Sequence, residues 1–221
     1  MKLFNGIVFC LLLSSSFVSC SQEDEKYSCN EDIDAWVKSH VDEIKTMKRE
    51  DWLKVDKSYS IAVYRAFSPE QKFEFWQNKL VETERLDWNP EELAHIKKAR
   101  DFVTSNIDIF KKGSLSIEMQ DRIDSFVYQW QKEAKEKLKW DDKVGIAILA
   151  SGMKLKNKKG DLVNGVSVLK TSTLSSKNES YCNCNKTYDF CGIGWSCEDT
   201  SCLTQSGCGW FLASDCNGEC K

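Results

Sequence analysis

The sequence predicts a mainly α protein: a small antiparallel helical domain followed by a disulfide-rich, mostly irregular C-terminal module. Three observations carry this expectation. Between residues 31 and 138, apolar side chains recur every three or four positions, the period of a one-sided helix. Ser68-Pro69 and Asn89-Pro90 each pair a capping residue with proline at the first helical position, where its missing N–H costs nothing. Eight of the eleven cysteines fall within residues 182–220, and none lies between Cys29 and Cys182.

Residues 1–19 read as a secretory signal peptide. Lys2 supplies the positive charge, residues 7–13 the short apolar core, and Ser19 the small residue before the cut. That core is about half the ~20 residues a membrane-spanning helix needs, and nothing downstream is apolar enough to span a bilayer. Val18-Ser19-Cys20 resembles a bacterial lipobox, with Phe17 standing where leucine is usual. Glu23-Asp24-Glu25 behind it resembles the acidic surface-export tag of some Gram-negative lipoproteins. Residues 20–30 are then a tether whose Cys20 carries lipid and holds the protein at the outer membrane or cell surface. The alternative is an ordinary cut nearby and secretion, with Cys20 left as a thiol.

Residues 31–150 form the helical domain. Ile33, Val37, Val41, Ile44 and Met47 share a face of one helix over 31–50, with Trp36 beside them. A shorter helix covers 58–67. Phe73, Trp76, Leu80 and Thr83 make the stripe after Pro69; Leu93, Ile96, Val103, Ile107 and Phe110 make the one after Pro90. Beyond Lys112-Gly113-Ser114, the stripe is Met119, Ile123, Phe126, Trp130, Ala134 and Leu138. Residues 144–150 are apolar enough to end a helix or form a short strand. Five amphipathic helices with short polar connections make an antiparallel domain of about 110–120 residues, a length that supports a single core. Trp36, Trp76 and Trp130 are read as core residues and His40 and His95 as packing residues; a ligand groove is the rival reading.

Residues 151–180 change character. Lys154, Lys156, Lys158 and Lys159 surround the turn at Lys159-Gly160-Asp161, a basic hairpin or solvated turn, and 171–180 has linker composition. Residues 181–221 are the eight-cysteine module: Cys182, Cys184, Cys191, Cys197, Cys202, Cys208, Cys216 and Cys220. This density is well above the about 8–10% that marks a disulfide scaffold, and so short a segment buries too little core without staples. In an oxidising compartment the eight close into four bridges, their pairing left open. Zinc is the weaker reading, because thiolate sites present C-x₂₋₄-C pairs, often with histidine. Here the closest pair is Cys182-Asn183-Cys184, and the tail has no histidine. Cys29 is then the candidate unpaired thiol. A Cys20–Cys29 bridge, or a Cys29 bridge that clamps the tail to the first helix, are the alternatives. On this two-part reading, reduction unfolds the tail and spares the helices.

No catalytic signature is present: no G-x-S-x-G, H-E-x-x-H or phosphate-binding glycine loop opens a helix. Neither enzyme activity nor a cofactor or metal is expected. A net charge of −3 and the lack of a basic stripe argue against nucleic acid. Tyr188, Phe190, Trp195, Trp210 and Phe211 are a possible contact surface, of residue types enriched in binding hot spots. Lys186 and Lys221 against Asp189, Glu198, Asp199, Asp215 and Glu219 leave the tail at −3. That is the wrong sign for attraction to anionic membranes. The expected partners are a membrane, through the lipid, and an unknown protein or cell-surface target.

The order Tyr181-Cys182-Asn183-Cys184, Asp189-Phe190-Cys191, Cys197, Cys202, Gly207-Cys208-Gly209-Trp210 and Cys216-Asn217-Gly218-Glu219-Cys220 resembles the fulvocin C-related group of bacterial proteins. The count and the first spacings agree, the later spacings are shifted by a few residues, and the tail is a small part of the chain. Tyr64-Arg65-Ala66-Phe67-Ser68-Pro69, followed by Phe75-Trp76, is similar to a stretch of that group's helical part. The resemblance implies a bacteriocin-related protein whose tail binds or antagonises a target cell, without catalysis. The alternative is a non-toxic surface lipoprotein whose helical domain binds an envelope partner and whose disulfide knot is a stable cap.

Overall fold

The computed structural model describes residues 25–163, 184–188 and 196–220. Among these the helices are α1 (Glu31–Ser39), α2 (Val41–Ile44), α3 (Arg49–Trp52), α4 (Lys57–Ala66), α5 (Pro69–Glu84), α6 (Pro90–Ser105), α7 (Ile117–Lys137) and α8 (Asp142–Leu149). A 3₁₀ turn at Ile107–Phe110 follows α6. The C-terminal region pairs β1 (Cys197–Cys208) with β2 (Ser214–Cys220) in an antiparallel ribbon, with a 3₁₀ turn at Trp210–Leu212 between them. The protein is mainly helical with a disulfide-rich C-terminal region.

The helix starts form as their sequences dictate. Ser68 Oγ accepts from the Gln71 amide (3.2 Å) while Gln71 Oε1 accepts from the Ser68 amide (3.0 Å). Asn89 and Glu92 make the same reciprocal pair at 2.9 and 2.8 Å. Each pair satisfies two amide donors that the first turn leaves open. Ser116 and Asp141 cap α7 and α8 with single side-chain acceptors.

The single helix expected over 31–50 is broken into α1, α2 and α3. Ser39 and Thr46 donate their hydroxyls to the Trp36 and Glu43 carbonyls (2.7 and 2.9 Å), local bonds that compete with a continuous ladder. Gln71 Nε2 then reaches across from α5 to the Ile44 and Met47 carbonyls (2.9 and 3.0 Å). Those acceptors are satisfied without helix. Ile33, Val37 and Ile44 still reach the core.

Residues 144–150, which fitted helix or strand equally, belong to α8 and its cap. The hairpin after it pairs Leu155 with Leu162, with Lys156 N donating to Asp161 O (2.7 Å) and Val163 N to Lys154 O (2.9 Å). Both leucines are buried. Arg49 donates twice to the Gly152 carbonyl (3.1 and 2.9 Å) and Nζ of the buried Lys79 donates to Met153 O. Residues 151–163 are therefore part of the helical body rather than the start of a linker. The remainder of the expected linker, 164–180, lies outside the described residues.

One hydrophobic core runs through body and tail. Trp210, Phe211, Leu212 and Ala213 are buried in the same cluster as Trp76, Leu80, Ile96, Val103, Ile123 and Trp130. The boundary expected at residue 181 does not divide the core. Four consecutive apolar residues at the ribbon turn are too large a surface to leave in water beside an open helical face.

Candidate functional site

The seat of the tail begins with two adjacent residues of α4. Tyr64 and Arg65 are both buried. Tyr64 Oη donates to the Phe211 carbonyl (3.2 Å) and accepts from Trp76 Nε1 (3.1 Å). The Phe211 ring meets Trp76 edge-on, with centroids 5.3 Å apart, and lies against Phe102 at 5.7 Å. These are the edge-to-face and offset geometries that the aromatic quadrupole favours.

Arg65 joins three segments that are far apart in the chain. Its Nε donates to Ser206 O (3.1 Å), its Nη1 to Tyr27 O (2.8 Å) and its Nη2 to Cys216 Sγ (3.0 Å). Burial pulls its proton affinity down to about 9, so it remains a cation at neutral pH. Lys72, one helix over, donates to Ser206 Oγ (2.9 Å) with its ammonium over the Tyr64 ring. Burial lowers its pKa to about 8, against a raising effect from Glu25.

The ribbon turn is shaped to this seat. Ser206, Phe211 and Leu212 hold φ of 58°, 55° and 51°, the left-handed region that costs a non-glycine residue about 1–3 kcal/mol. Gly207 has φ 95°, and a Cβ there would stand 2.9 Å from Arg65 Nε and 3.0 Å from Ile61. Only glycine satisfies both the backbone angle and the close approach.

A second contact fixes the other side. Tyr188 donates its hydroxyl to Asp124 and accepts from Gln120 Nε2, while Ser214 Oγ donates to Gln120 Oε1 (3.1 Å). Burial, then the Asp124 carboxylate, raises the Tyr188 pKa well above that of a free phenol. Ser114 Oγ donates to Asp215 (2.5 Å).

Among the described residues three disulfides complete the arrangement: Cys29–Cys202, Cys184–Cys197 and Cys208–Cys216. The reading of Cys29 as an unpaired thiol is overturned, and the tail does not close on itself alone. The physical reason lies in register. Asp199 pairs with Gly218 and Thr204 with Cys216, so β1 carries extra residues between them, and Cys202 leaves the ladder to reach Cys29. Asp34 Oδ1 holds the Tyr27 and Ser28 amides at 2.6 and 3.2 Å, which sets Cys29 in place.

Of the expected contact surface, Trp210 and Phe211 are likewise corrected. Phe211 has no exposed surface and Trp210 is buried, because the body supplies the apolar partners that the tail alone lacks. Tyr188 is half-buried and bonded to α7. Phe190, Trp195, Cys182, Cys191 and Cys20 lie outside the described residues, and Cys220 is described only as the backbone partner of Cys197. Trp76 and Trp130 are core residues, while half-buried Trp36 stacks on His40 at 4.1 Å. His95 is buried under Trp130 at 4.4 Å, with Nδ1 3.5 Å from Glu133 Oε2. Sequence reasoning missed the roles of Arg65, which entered only as part of the 64–69 stretch, and of Lys72, which it did not single out. The available signal was the chain's own Tyr64-Arg65 pair inside an apolar stretch.

Among the described residues no group of three or more acidic, histidine or cysteine side chains is placed to hold a metal ion, and no helix is long and apolar enough to cross a membrane. No family model, curated protein or solved structure matches the chain.

Proposed function

We propose that the chain is an exported, bacteriocin-related binding protein of the fulvocin C-related kind, held at the cell surface by lipid on Cys20 and acting as one unit without catalysis. The observation that supports this reading is the seating of Phe211 in the body core, together with the Cys29–Cys202 staple. A tail freed by proteolysis would stay tied to the N-terminal segment and would uncover Trp76. The geometry therefore favours a fixed cap over a released toxin. Disulfides fit export to an oxidising compartment. Target contact then falls on the outward row of β1, where Ser201, Leu203 and Gln205 are exposed between inward Cys202, Thr204 and Ser206. Leu203, the apolar side chain of that row, is 56% exposed.

Intact-mass measurement of the exported protein, with and without reductant, tests the proposal. The expected species is one chain starting at Cys20, with acyl mass and no separable tail fragment before reduction. A free tail of about 4–5 kDa in the medium, the mass of a segment of ~40 residues, overturns the fixed-cap reading. An unmodified Cys20 overturns the anchor.

A further inference from the structure

The Arg65 guanidinium stands 3.0 Å from one sulfur of a disulfide, and that bridge is packed against a second one. Cys208 and Cys216 are buried, with 4% and 0% exposure, while Cys29 and Cys202 are half-buried and cover them. A guanidinium hydrogen-bonded to sulfur has little to gain from a neutral disulfide. It has much to gain from a thiolate, whose charge it would meet directly in a low-dielectric site. The better-stabilised thiolate is also the better leaving group in thiol–disulfide exchange. Arg65 contacts the Cys216 sulfur, so the two ends of this bridge are chemically unequal.

We infer that Cys29–Cys202 and Cys208–Cys216 form a two-step thiol–disulfide exchange site for a dithiol, in which Cys216 is the leaving sulfur and Arg65 its counter-ion. In the first step a dithiol attacks the half-buried Cys29–Cys202 bridge and its second thiol resolves the mixed disulfide. Two electrons pass to the bridge, the dithiol becomes a disulfide, and Cys29 and Cys202 become thiols. The covalent tie over the inner bridge is then gone. In the second step a thiolate of another dithiol attacks Cys208 Sγ, the Cys208–Cys216 bond breaks, and its electron pair stays on Cys216. The second thiol of that dithiol displaces Cys208 from the mixed disulfide as a thiol. One proton ends on Cys208, and the other goes to solvent because Cys216 remains anionic beside Arg65. The turn at Ser206-Gly207, held by Arg65 Nε and Lys72, keeps the guanidinium aimed at the sulfur while this happens.

The test uses the full oxidised chain in dithiothreitol redox buffers, with alkylation and mass mapping of every cysteine, helical circular dichroism being followed in parallel. The expected order is Cys29–Cys202 before Cys208–Cys216, with the second opening preceding loss of the helical signal. In the partly reduced chain the pH midpoint for Cys216 alkylation should lie about one unit or more below that of Cys208, as beside other cations. Arg65→Gln should bring the two midpoints together. Should that variant fail to fold, the comparison of Cys216 with Cys208 inside the unmodified chain still decides. Equal midpoints in the native chain, an unchanged Cys216 midpoint in folded Arg65→Gln, or an inner bridge that opens only as the helices melt, overturns the proposal.

Discussion

Phe211 buries its whole ring while holding a left-handed backbone, so the energy that seats it must exceed that strain. Phe211→Ala removes the ring from between Trp76, Phe102 and Phe126 and leaves a cavity that rigid helices fill poorly. The expected loss is about 3–5 kcal/mol, read as a lower urea midpoint with a change in tryptophan emission. A loss under ~1 kcal/mol, the size of an ordinary surface change, would mean the tail is not seated as described. His95 offers a pH test at the same scale. Burial lowers its pKa below 6.5, partly offset by Glu133, while Lys98 opposes protonation. The unfolded chain therefore binds the proton more readily than the folded one. Stability from this group is full above 6.5 and falls as pH drops through that value. Glu133, held down to about 2 by Lys98 and Lys137, keeps its charge throughout that window. The urea midpoint should fall from pH 7.5 to 5.5, and His95→Leu should flatten the slope; an equal slope in that variant assigns the effect elsewhere. Neither role was fully legible beforehand. His95 could be read as a packing residue from its place beside an apolar stripe. Phe211 misled, because an aromatic in a cysteine-rich tail gives no local sign of whether its partner is solvent, target or a helix far upstream.

Elements with their own punctuation were the legible ones. The boundaries of α5 and α6 follow from Ser68-Pro69 and Asn89-Pro90, whose reciprocal caps form as the residue types require. The break between α1 and α3 carries no glycine or proline, and half of its cause is Gln71, on another helix. The path of β1 is similarly hidden: extra residues opposite β2 turn Cys202 toward Cys29, and spacing alone does not reveal a bulge. That staple closes the longest loop of the disulfides among the described residues. It spans 173 residues, and the chain-entropy estimate for so long a loop is about 5 kcal/mol, an upper value because the Arg65 contact to Tyr27 O persists without it. Cys29→Ser with Cys202→Ser, which removes the bridge without leaving a thiol, should lower the denaturant midpoint while preserving helical circular dichroism. The N-terminal segment should become the first site of limited proteolysis. An unchanged midpoint and cleavage pattern would show that hydrogen bonds alone hold 25–29 in place.

At the scale of the whole molecule, the question is whether body and tail unfold together. A tail stabilised only by its own bridges would melt on reduction and leave the helices standing, as the cysteine distribution alone suggested. The core argues otherwise. Trp210, Phe211, Leu212 and Ala213 fill the space that Tyr64, Trp76 and Phe102 line, and losing them would open that face to water. Polar ties act in the same direction: Arg65 to Ser206 and Cys216, Lys72 to Ser206, Gln120 to Ser214 and Ser114 to Asp215. Pulling the tail away would leave Arg65 buried without those acceptors, and an unsatisfied buried donor or charge is costly. Full reduction should therefore weaken the helices as well as the tail. In a urea titration of the fully reduced, alkylated chain, helical circular dichroism and tryptophan emission should share one midpoint, well below that of the oxidised chain. The same pair of signals should coincide in the oxidised chain, since one core gives one transition. If reduction leaves the helical midpoint where it was while 184–220 becomes protease-sensitive, the tail is an independent module and the shared core contributes little. Coincident, lowered midpoints would instead mean that the helical body needs its disulfide-held tail in order to keep its own core closed.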